Sequence, residues 1–405
     1  MAIDGKLTDV ALKPKRLASL DAYRGFVMLA MVSEGLGLSH IAESMGNTGI
    51  WPSIHYQLTH VPWVGCSAWD LIQPSFMFIV GVSMPYSFAR RKAEGESALH
   101  RALHVLWRVV FLVFLGIFLR SNNGDYTNLT FEDVTTQIGL GYGFAYLTLG
   151  MTWRGQAITA ALLLIGYWLL FALWPIATPA LAAAAGVPGD WDQLSGFGAH
   201  WDKHLNAAGA FDRWFMNLFP RPQEFVANGG GYQTLSFIPS LATTIFGVIA
   251  GGLLHSEQSL GTKIGRLFMC GMGMLALGMF LDGNMWPDMD WHWSICPVVK
   301  RIWTPSWAVF STGWTLLMLA AFVWVIDLKG YQRWAFPFIV VGMNAIAIYC
   351  MNWLLRPWLV HSAEVHFGPA AFAGFWGPMT KEIYITVTLW LICYWLYRRK
   401  VFIRI

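Results

Sequence analysis

Residues 102–120 read ALHVLWRVVFLVFLGIFLR, an apolar run whose ionisable members are His104 and Arg108 near its start and Arg120 at its end. At a helical rise of about 1.5 Å per residue, a run of this length crosses the roughly 30 Å hydrocarbon layer of a bilayer. Comparable windows occur outward from it at 24–45, 66–89, 132–150, 154–176, 235–254, 263–282, 306–326, 335–354 and 379–397. The pattern predicts an all-α, polytopic integral membrane protein with ten transmembrane helices. The windows at 24–45 and 132–150 are the least apolar of the set. No gap between windows is wide enough for a soluble domain of ordinary size, so residues 1–405 read as one transmembrane domain. The widest gap, 177–234, carries Pro179, Pro188, Pro220 and Pro222 among many glycines. It reads as a long extracytoplasmic loop with short interfacial helices around Trp201–Asn217.

Composition supports the same class. Hydrophobic residues make up 56% of the 405 and charged residues only 12%, about half the charged share of a soluble domain. So few charges cannot cover the surface of a soluble protein this size, whereas a bilayer removes the need. The 23 Trp and 40 Gly fit as well, because Trp anchors at the membrane interface and Gly is frequent in spanning helices. A net charge of +4 gives no support to nucleic-acid binding. Five cysteines show neither a CxxC pair nor a metal-like spacing with His, so no metal is expected and buried free thiols are. A disulfide between Cys66 and Cys296 is the alternative.

Orientation follows from the basic residues. With a cytoplasmic amino terminus, 19 of the 27 Lys and Arg fall inside, among them Lys6, Lys13, Lys15, Arg16, Arg24, Arg101, Arg108 and the Arg398–Lys400 cluster. Outside remain Arg120, Lys203, Arg213, Arg221, Lys300, Arg301, Arg356 and Lys381. The positive-inside rule therefore predicts that both termini are cytoplasmic, with residues 1–23 as a tail. No cleavable leader is expected, because the amino-terminal basic residues run directly into a long spanning window.

Polar residues at membrane depth are the candidates for chemistry, since a central charge costs about 3 kcal/mol on insertion scales. Glu34 lies ten residues past Arg24, roughly 15 Å along a helix from it, and reads either as a helix-bonding carboxylate or as a residue facing a substrate cavity. His60 precedes the second window, and Asp70 lies about one turn inside it. A lone interfacial His is usually solvated. A nearby carboxylate changes that reading, because it can fix an imidazole tautomer and stabilise the protonated ring, as a catalytic base requires. Asn344 sits mid-window in Val341-Gly342-Met343-Asn344-Ala345 and reads as an interhelical amide or a substrate contact. Gly229-Gly230-Gly231 lacks the Lys and the Ser/Thr of a phosphate loop and reads as a turn. Asn128-Leu129-Thr130 is formally a glycosylation sequon, meaningful only in a eukaryotic host.

Three blocks carry a resemblance. Arg16-Leu17-Ala18-Ser19-Leu20-Asp21-Ala22-Tyr23-Arg24-Gly25 resembles the opening signature of the transmembrane acyltransferases related to lysosomal heparan-α-glucosaminide N-acetyltransferase. His60 through Pro74 is similar, without a gap, to that family's second block, and Gly342-Met343-Asn344-Ala345-Ile346 to its Gly-Met-Asn-Ser-Ile. From Lys300 onward, Trp303, Pro305-Ser306-Trp307, Asp327 and Tyr397-Arg398-Arg399-Lys400 follow the pattern too. The resemblance implies a bacterial-type member in the inner (plasma) membrane. It further implies transfer of an acetyl group from cytosolic acetyl-CoA to an amine across the bilayer, in the human case on a terminal glucosamine. The family's active-site histidine falls on His60, its aspartate on Asp70, and a homodimer is implied. One position departs: Gly35, beside Glu34, stands where the family has an asparagine in its first span.

The expected site therefore has His60 and Asp70 as catalytic residues and Glu34 and Asn344 toward the acceptor. Arg24, Arg101 and Arg108 would hold the CoA phosphates, which cannot cheaply enter hydrocarbon. His60 acts as general base or as a transiently acylated nucleophile; the sequence does not separate the two. Amino sugars, other glycans and small alcohols all remain open as acceptors. A transporter or permease is the rival class, against which the sequence shows no inverted repeat and no paired broken helices. A family member that binds acyl-CoA without turnover is a third reading.

Overall fold

A computed structural model describes residues 17–403 apart from 123, 186, 188–193 and 284–293; Lys6, Lys13, Lys15, Arg16, Pro188 and Arg404 lie outside the described residues. Each of the ten apolar windows contains helix. In chain order the helices are α1 (Ala18–Val32), α2 (Leu38–Ser44), α3 (Trp51–Leu58), α4 (Ile72–Ala93), α5 (Ala98–Ser121), α6 (Val134–Thr148), α7 (Trp153–Ala172) and α8 (Pro179–Ala184). There follow α9 (Ala207–Phe215), α10 (Phe237–His255), α11 (Leu260–Asp282), α12 (Pro305–Phe322), α13 (Phe336–Gly342), α14 (Ala345–Phe367) and α15 (Gly377–Arg398). Among the described residues no strand forms beyond one isolated bridge, Val64 with Val299. Short polar residues set several starts: Ser97, Asp133, Thr152, Ser259 and Thr304 each accept a backbone N–H from the first turn, satisfying a donor that the helix leaves free.

Among the described residues, six helices are long and apolar enough to cross a membrane, and two bent pairs raise the number to eight. Two of the ten windows fall short of that measure. Helix α6 has only 15 residues, about 22 Å of rise, and α15 carries Lys381, Glu382, Thr386 and Thr388. The chain is an all-helical integral membrane protein. Leu103, Leu106, Trp107, Phe114 and Phe118 on α5, Leu162 and Ile165 on α7, and Phe268 and Met269 on α11 point outward as a lipid-facing belt. Inside it, small residues bring backbones together. A Cβ on Gly81 of α4 would lie 2.0 Å from Thr244 O of α10, and one on Gly247 would lie 2.2 Å from Phe78 O. Without a hydrophobic drive between helices in lipid, such close packing is what holds them together.

The windows at 24–45 and 335–354 are not continuous helices, which corrects the expectation of unbroken spans. Helix α1 stops at Val32, and Glu34, Gly35, Leu36 and Gly37 all take positive φ before α2 resumes at a 42° bend. Gly35 and Gly37 adopt that backbone freely; Glu34 and Leu36 do so at a strain of order 1–3 kcal/mol each. The second break, at Met343-Asn344, turns α14 by 68° from the segment containing α13. The two broken spans pack on each other through glycine: a Cβ on Gly25 would meet Phe338 O at 1.7 Å, and one on Gly342 would meet Asp21 O at 1.9 Å.

The 177–234 gap holds α8, a 3-10 turn over Gly196–Trp201, and α9. Trp201, expected at an interface, is instead fully buried with Trp63, Tyr167, Phe171, Val299 and Ile302. Trp63 Nε1 donates to Trp201 O at 2.9 Å, and Gly65 N donates to Val298 O at 2.9 Å. This apolar layer fixes two distant stretches, 60–67 and 298–304, against each other. All five cysteines are free, Cys66 and Cys296 included.

Candidate active site

Thr59 ends α3 by turning extended (φ −122°, ψ 158°), and His60 follows it. Asp70 lies in a 3-10 turn, Ala68–Leu71, that leads into α4. Ser67 caps the turn reciprocally: its hydroxyl accepts from Asp70 N at 3.3 Å, and its own N–H donates to Asp70 Oδ2 at 3.1 Å. That is a capping box, with aspartate in the place usual for glutamate. Val61 N also donates to Oδ2, at 3.3 Å. The carboxylate is fully buried, held along one edge, and presents Oδ1 to His60 Nδ1 at 2.7 Å. His60 and Asp70, paired in the sequence reading, are brought into direct contact.

Lys300 completes the group. Its Nζ lies 3.0 Å from His60 Nδ1 and 3.3 Å from Asp70 Oδ1, with the side chain only 5% exposed. Its neighbour Arg301 donates to Val61 O at 3.4 Å and to Gly230 O at 2.5 Å, tying 298–304 to both loops. The His60 Nδ1 atom cannot donate to Asp70 and accept from Lys300 at once. The Asp70 contact is the shorter; it puts the proton on Nδ1 and leaves the lone pair on Nε2. Burial holds the His60 imidazole below its ordinary value of 6.5, against the raising effect of the Asp70 hydrogen bond; Lys300 and Arg301 press it lower. The ring is therefore unprotonated at neutral pH, the state a base needs.

His60 opens on a cavity of about 610 Å³, lined also by Glu43, Asn47, His55, Tyr56 and Thr59. Tyr56 donates to Cys66 O at 3.1 Å, and His55 Nδ1 lies 3.2 Å from Ser39 O. Glu34 is not among the lining residues. Its carboxylate pairs with Arg356 Nη2 at 3.0 Å, while the same Arg356 holds buried Glu382 at 2.5 Å and donates to Val32 O, freed by the helix break, at 3.2 Å. Glu34 thus secures the bend that packs beneath α3, where a Cβ on Gly35 would meet Leu58 at 3.1 Å. Asn344 is also committed elsewhere: its Nδ2 donates to Val401 O at 3.2 Å and its Oδ1 accepts from Ile403 N at 2.9 Å. The structure puts neither beside His60 or on the lining of its cavity, where Glu43 is found.

The three arginines expected at CoA do not form one cluster. Arg24 Nη2 donates to Ser83 Oγ at 2.7 Å, whereas Arg101 lies over the Phe88 ring at 5.4 Å. Ser83 and Phe88 are five residues apart on α4, about 140° around its axis. Arg101, His104 and Arg108 instead share one face of α5 with Arg91 of α4. Arg91 meets His104 Nε2 at 2.8 Å and Glu96 at 2.9 Å; Arg101 donates to Glu96 O; Arg108 donates to Tyr142 OH at 2.8 Å. The Nε–H groups of Arg91, Arg101 and Arg108 are buried with no partner among the described residues. Orphaned donors of this kind fit an anion.

Sequence reasoning did not single out Lys300, Arg91, His104 or Glu43 as site residues. Lys300-Arg301 carried a usable signal, a basic pair in a stretch that the positive-inside reading assigns to the side where such pairs are disfavoured.

A family described as a domain of unknown function (DUF5009) matches residues 16–124, which span α1 through α5 and include His60 and Asp70. Human heparan-alpha-glucosaminide N-acetyltransferase is 24% identical over 440 residues, covering 97% of this chain and 60% of the human protein. The mouse protein of the same name is 23% identical over 433 residues, covering 96% of this chain and 60% of its own length. Spanning about 60% of the length of these curated relatives, the chain is homologous along nearly its whole sequence to the heparan-alpha-glucosaminide N-acetyltransferases.

Proposed function

We propose that the protein is a transmembrane acetyltransferase that moves an acetyl group from cytosolic acetyl-CoA to an amine or hydroxyl acceptor on the extracytoplasmic side. The observation that carries this reading is the His60–Asp70–Lys300 group opening on the outer cavity. His60 Nε2 takes the proton from the acceptor as the acceptor nitrogen or oxygen attacks the acetyl carbonyl. The thioester C–S bond then breaks, CoA leaves as the thiol with the proton that His60 returns, and Asp70 holds the ring and offsets its transient charge. Glu43, Asn47, His55 and Tyr56 give the cavity polar groups suited to an amino sugar or a related glycan. On the inner side, Arg91, Arg101 and Arg108 supply the forked donors that CoA phosphates would engage.

The topology is part of the proposal: ten spans, with α6 and α15 counted beside the six long helices and the two bent pairs, both termini cytoplasmic, in a bacterial plasma membrane. Two copies forming a homodimer belong to the same reading. An introduced thiol at Asp125 should react with an impermeant reagent from outside, and one at Gly95 only after the membrane is opened. The reverse pattern would overturn the topology.

The decisive experiment incubates purified protein with labelled acetyl-CoA and a panel of amino sugars, read by mass spectrometry. Acetylated acceptor supports the proposal; absence of both transfer and a CoA-dependent thermal shift would defeat it. The two broken spans favour a second reading, a permease, because interrupted helices line substrate paths in transporters. Both breaks, however, are filled by the chain's own groups, Arg356 at the first and the 401–403 tail at the second. The acetyltransferase reading is the better supported.

A further inference from the structure

Lys300 stands 240 residues from His60 in sequence, yet its Nζ lies 3.0 Å from the ring Nδ1 and 3.3 Å from Asp70 Oδ1. A buried lysine at a histidine–carboxylate pair opposes what that pair ordinarily does. Asp70 alone, in contact with Nδ1, would favour the imidazolium. A ring that rests protonated has no lone pair to offer an acceptor. The ammonium of Lys300 balances the Asp70 carboxylate, so their combined charge near the ring is close to zero and the resting imidazole has no net incentive to gain a proton.

The same ammonium also bears on which nitrogen carries the proton. While the Nδ1 proton is directed to Asp70, Lys300 donates to Oδ1 and Nε2 is left free for the cavity. Were Lys300 to donate to Nδ1 instead, the proton would sit on Nε2 and the ring would present a donor to the acceptor. The position of one ammonium therefore bears on both the charge and the tautomer of His60.

We infer that Lys300 is a positioning residue that keeps His60 neutral, with its Nε2 lone pair facing the cavity. The loop that carries it is built to fix it. Lys300 O accepts from Trp303 N at 2.9 Å, Val299 N donates to Thr304 Oγ1 at 3.0 Å, and Val298 N donates to buried Asp282 at 2.5 Å. Among the described residues, the other charged or titratable groups near His60 are Arg301 on the same loop, Cys66 beside Asp70 and Lys300, His55 and Tyr56 on α3, and Glu43 on α2 across the cavity. None is altered by substitution of Lys300, so a change in His60 titration there reads Lys300 itself.

This inference deepens the acetyltransferase reading, and its test does not depend on activity. Diethylpyrocarbonate acylates only unprotonated imidazole. Mass spectrometry of the His60 peptide against pH therefore gives the protonation midpoint of that residue in the intact protein. In Lys300→Met the midpoint should rise by about one pH unit or more, so His60 reacts about tenfold more slowly or worse at pH values well below the parent midpoint. Lys300→Arg, which keeps the charge, should leave the midpoint near that of the parent. Where acetyl transfer is measurable, the acidic limb of kcat/KM should move by the same amount. A merely structural role for Lys300 would lower rates at every pH and leave the midpoint in place; that result overturns the inference even if transfer is confirmed. If Lys300→Met does not yield folded protein, Lys300→Gln gives the same reading, and an unshifted midpoint there is equally fatal.

Discussion

On the proposed topology, the outer and inner ends of the molecule treat charge in opposite ways. Outside, His60, Asp70 and Lys300 come from separate stretches and meet within 3.3 Å, every one fixed by backbone that is itself pinned. Inside, Arg91, Arg101 and Arg108 spread along the α4–α5 edge, each leaning on a neighbour and each keeping a free Nε–H. Proton transfer demands that reacting atoms stand within hydrogen-bond range, so a displacement of about 1 Å is costly. Holding phosphates demands only forked cations in roughly the right region, because the attraction is longer-ranged and the side chains can adjust. On this contrast the outer group should fail as a unit, whereas the inner edge should lose strength by increments.

The largest expected effect is at His60. His60→Ala should lower acetyl transfer by about 10²–10⁴-fold, the usual contribution of a general base, and by at least as much if His60 is acylated. Acetyl-CoA binding, measured by calorimetry, should stay close to the parent value. Asp70→Asn should fall nearly as far, since an amide cannot offset imidazolium charge. Transfer at the parent rate by purified His60→Ala would remove the base from the mechanism. In the parent protein, activity should climb as pH rises through a His60 midpoint lying below 6.5 and be largely developed by pH 7. A limb centred above pH 7 would contradict the half-buried, cation-flanked ring.

Smaller and graded effects belong to the inner edge. Alanine at Arg91, Arg101 or Arg108 should each weaken acetyl-CoA binding by about 1.5–3 kcal/mol if it removes a charge-assisted phosphate contact. Arg24→Ala should change affinity little, because its guanidinium reaches Ser83 and Gly342 on another side of α4. Should Arg24 prove dominant and the α5 face silent, the contrast between the two ends would have to be redrawn.

The same contrast explains what the sequence made legible. Helical class and the windows were plain, because twenty-residue apolar runs have few alternatives. His60 and Asp70 were legible because they are ten residues apart and the cap at Ser67 folds them together locally. Lys300 was not, since its approach depends on Trp63, Trp201 and Val299 packing between distant loops. The helix breaks were hidden for a related reason. Gly35 and Gly37 permit left-handed backbone, but glycines are equally common in unbroken spans. The Arg356 side chain, which reaches Val32 O and Glu34 from α14, helps to hold the break. Glu34 and Asn344 were correctly marked as too expensive to be idle, but each is spent on holding a bend.

Asn344 gives the smallest expected effect and separates those two kinds of use. The residue is fully buried at the 68° break, and both halves of its amide bind the backbone of 401–403. Asn344→Ala would free Val401 O and Ile403 N and leave a small void. Because the tail can then reach solvent, neither group need remain unsatisfied, and the loss should be about 1–2 kcal/mol of stability. Melting in detergent should therefore drop by a few degrees while kcat/KM per folded molecule is unchanged. Asn344→Asp should be worse than alanine: a carboxylate retains the acceptor for Ile403 N but sets a negative charge against Val401 O in a dry setting. If either variant instead loses acceptor affinity at unchanged stability, Asn344 touches substrate, and the inner half of the broken span takes part in the reaction rather than merely anchoring the tail.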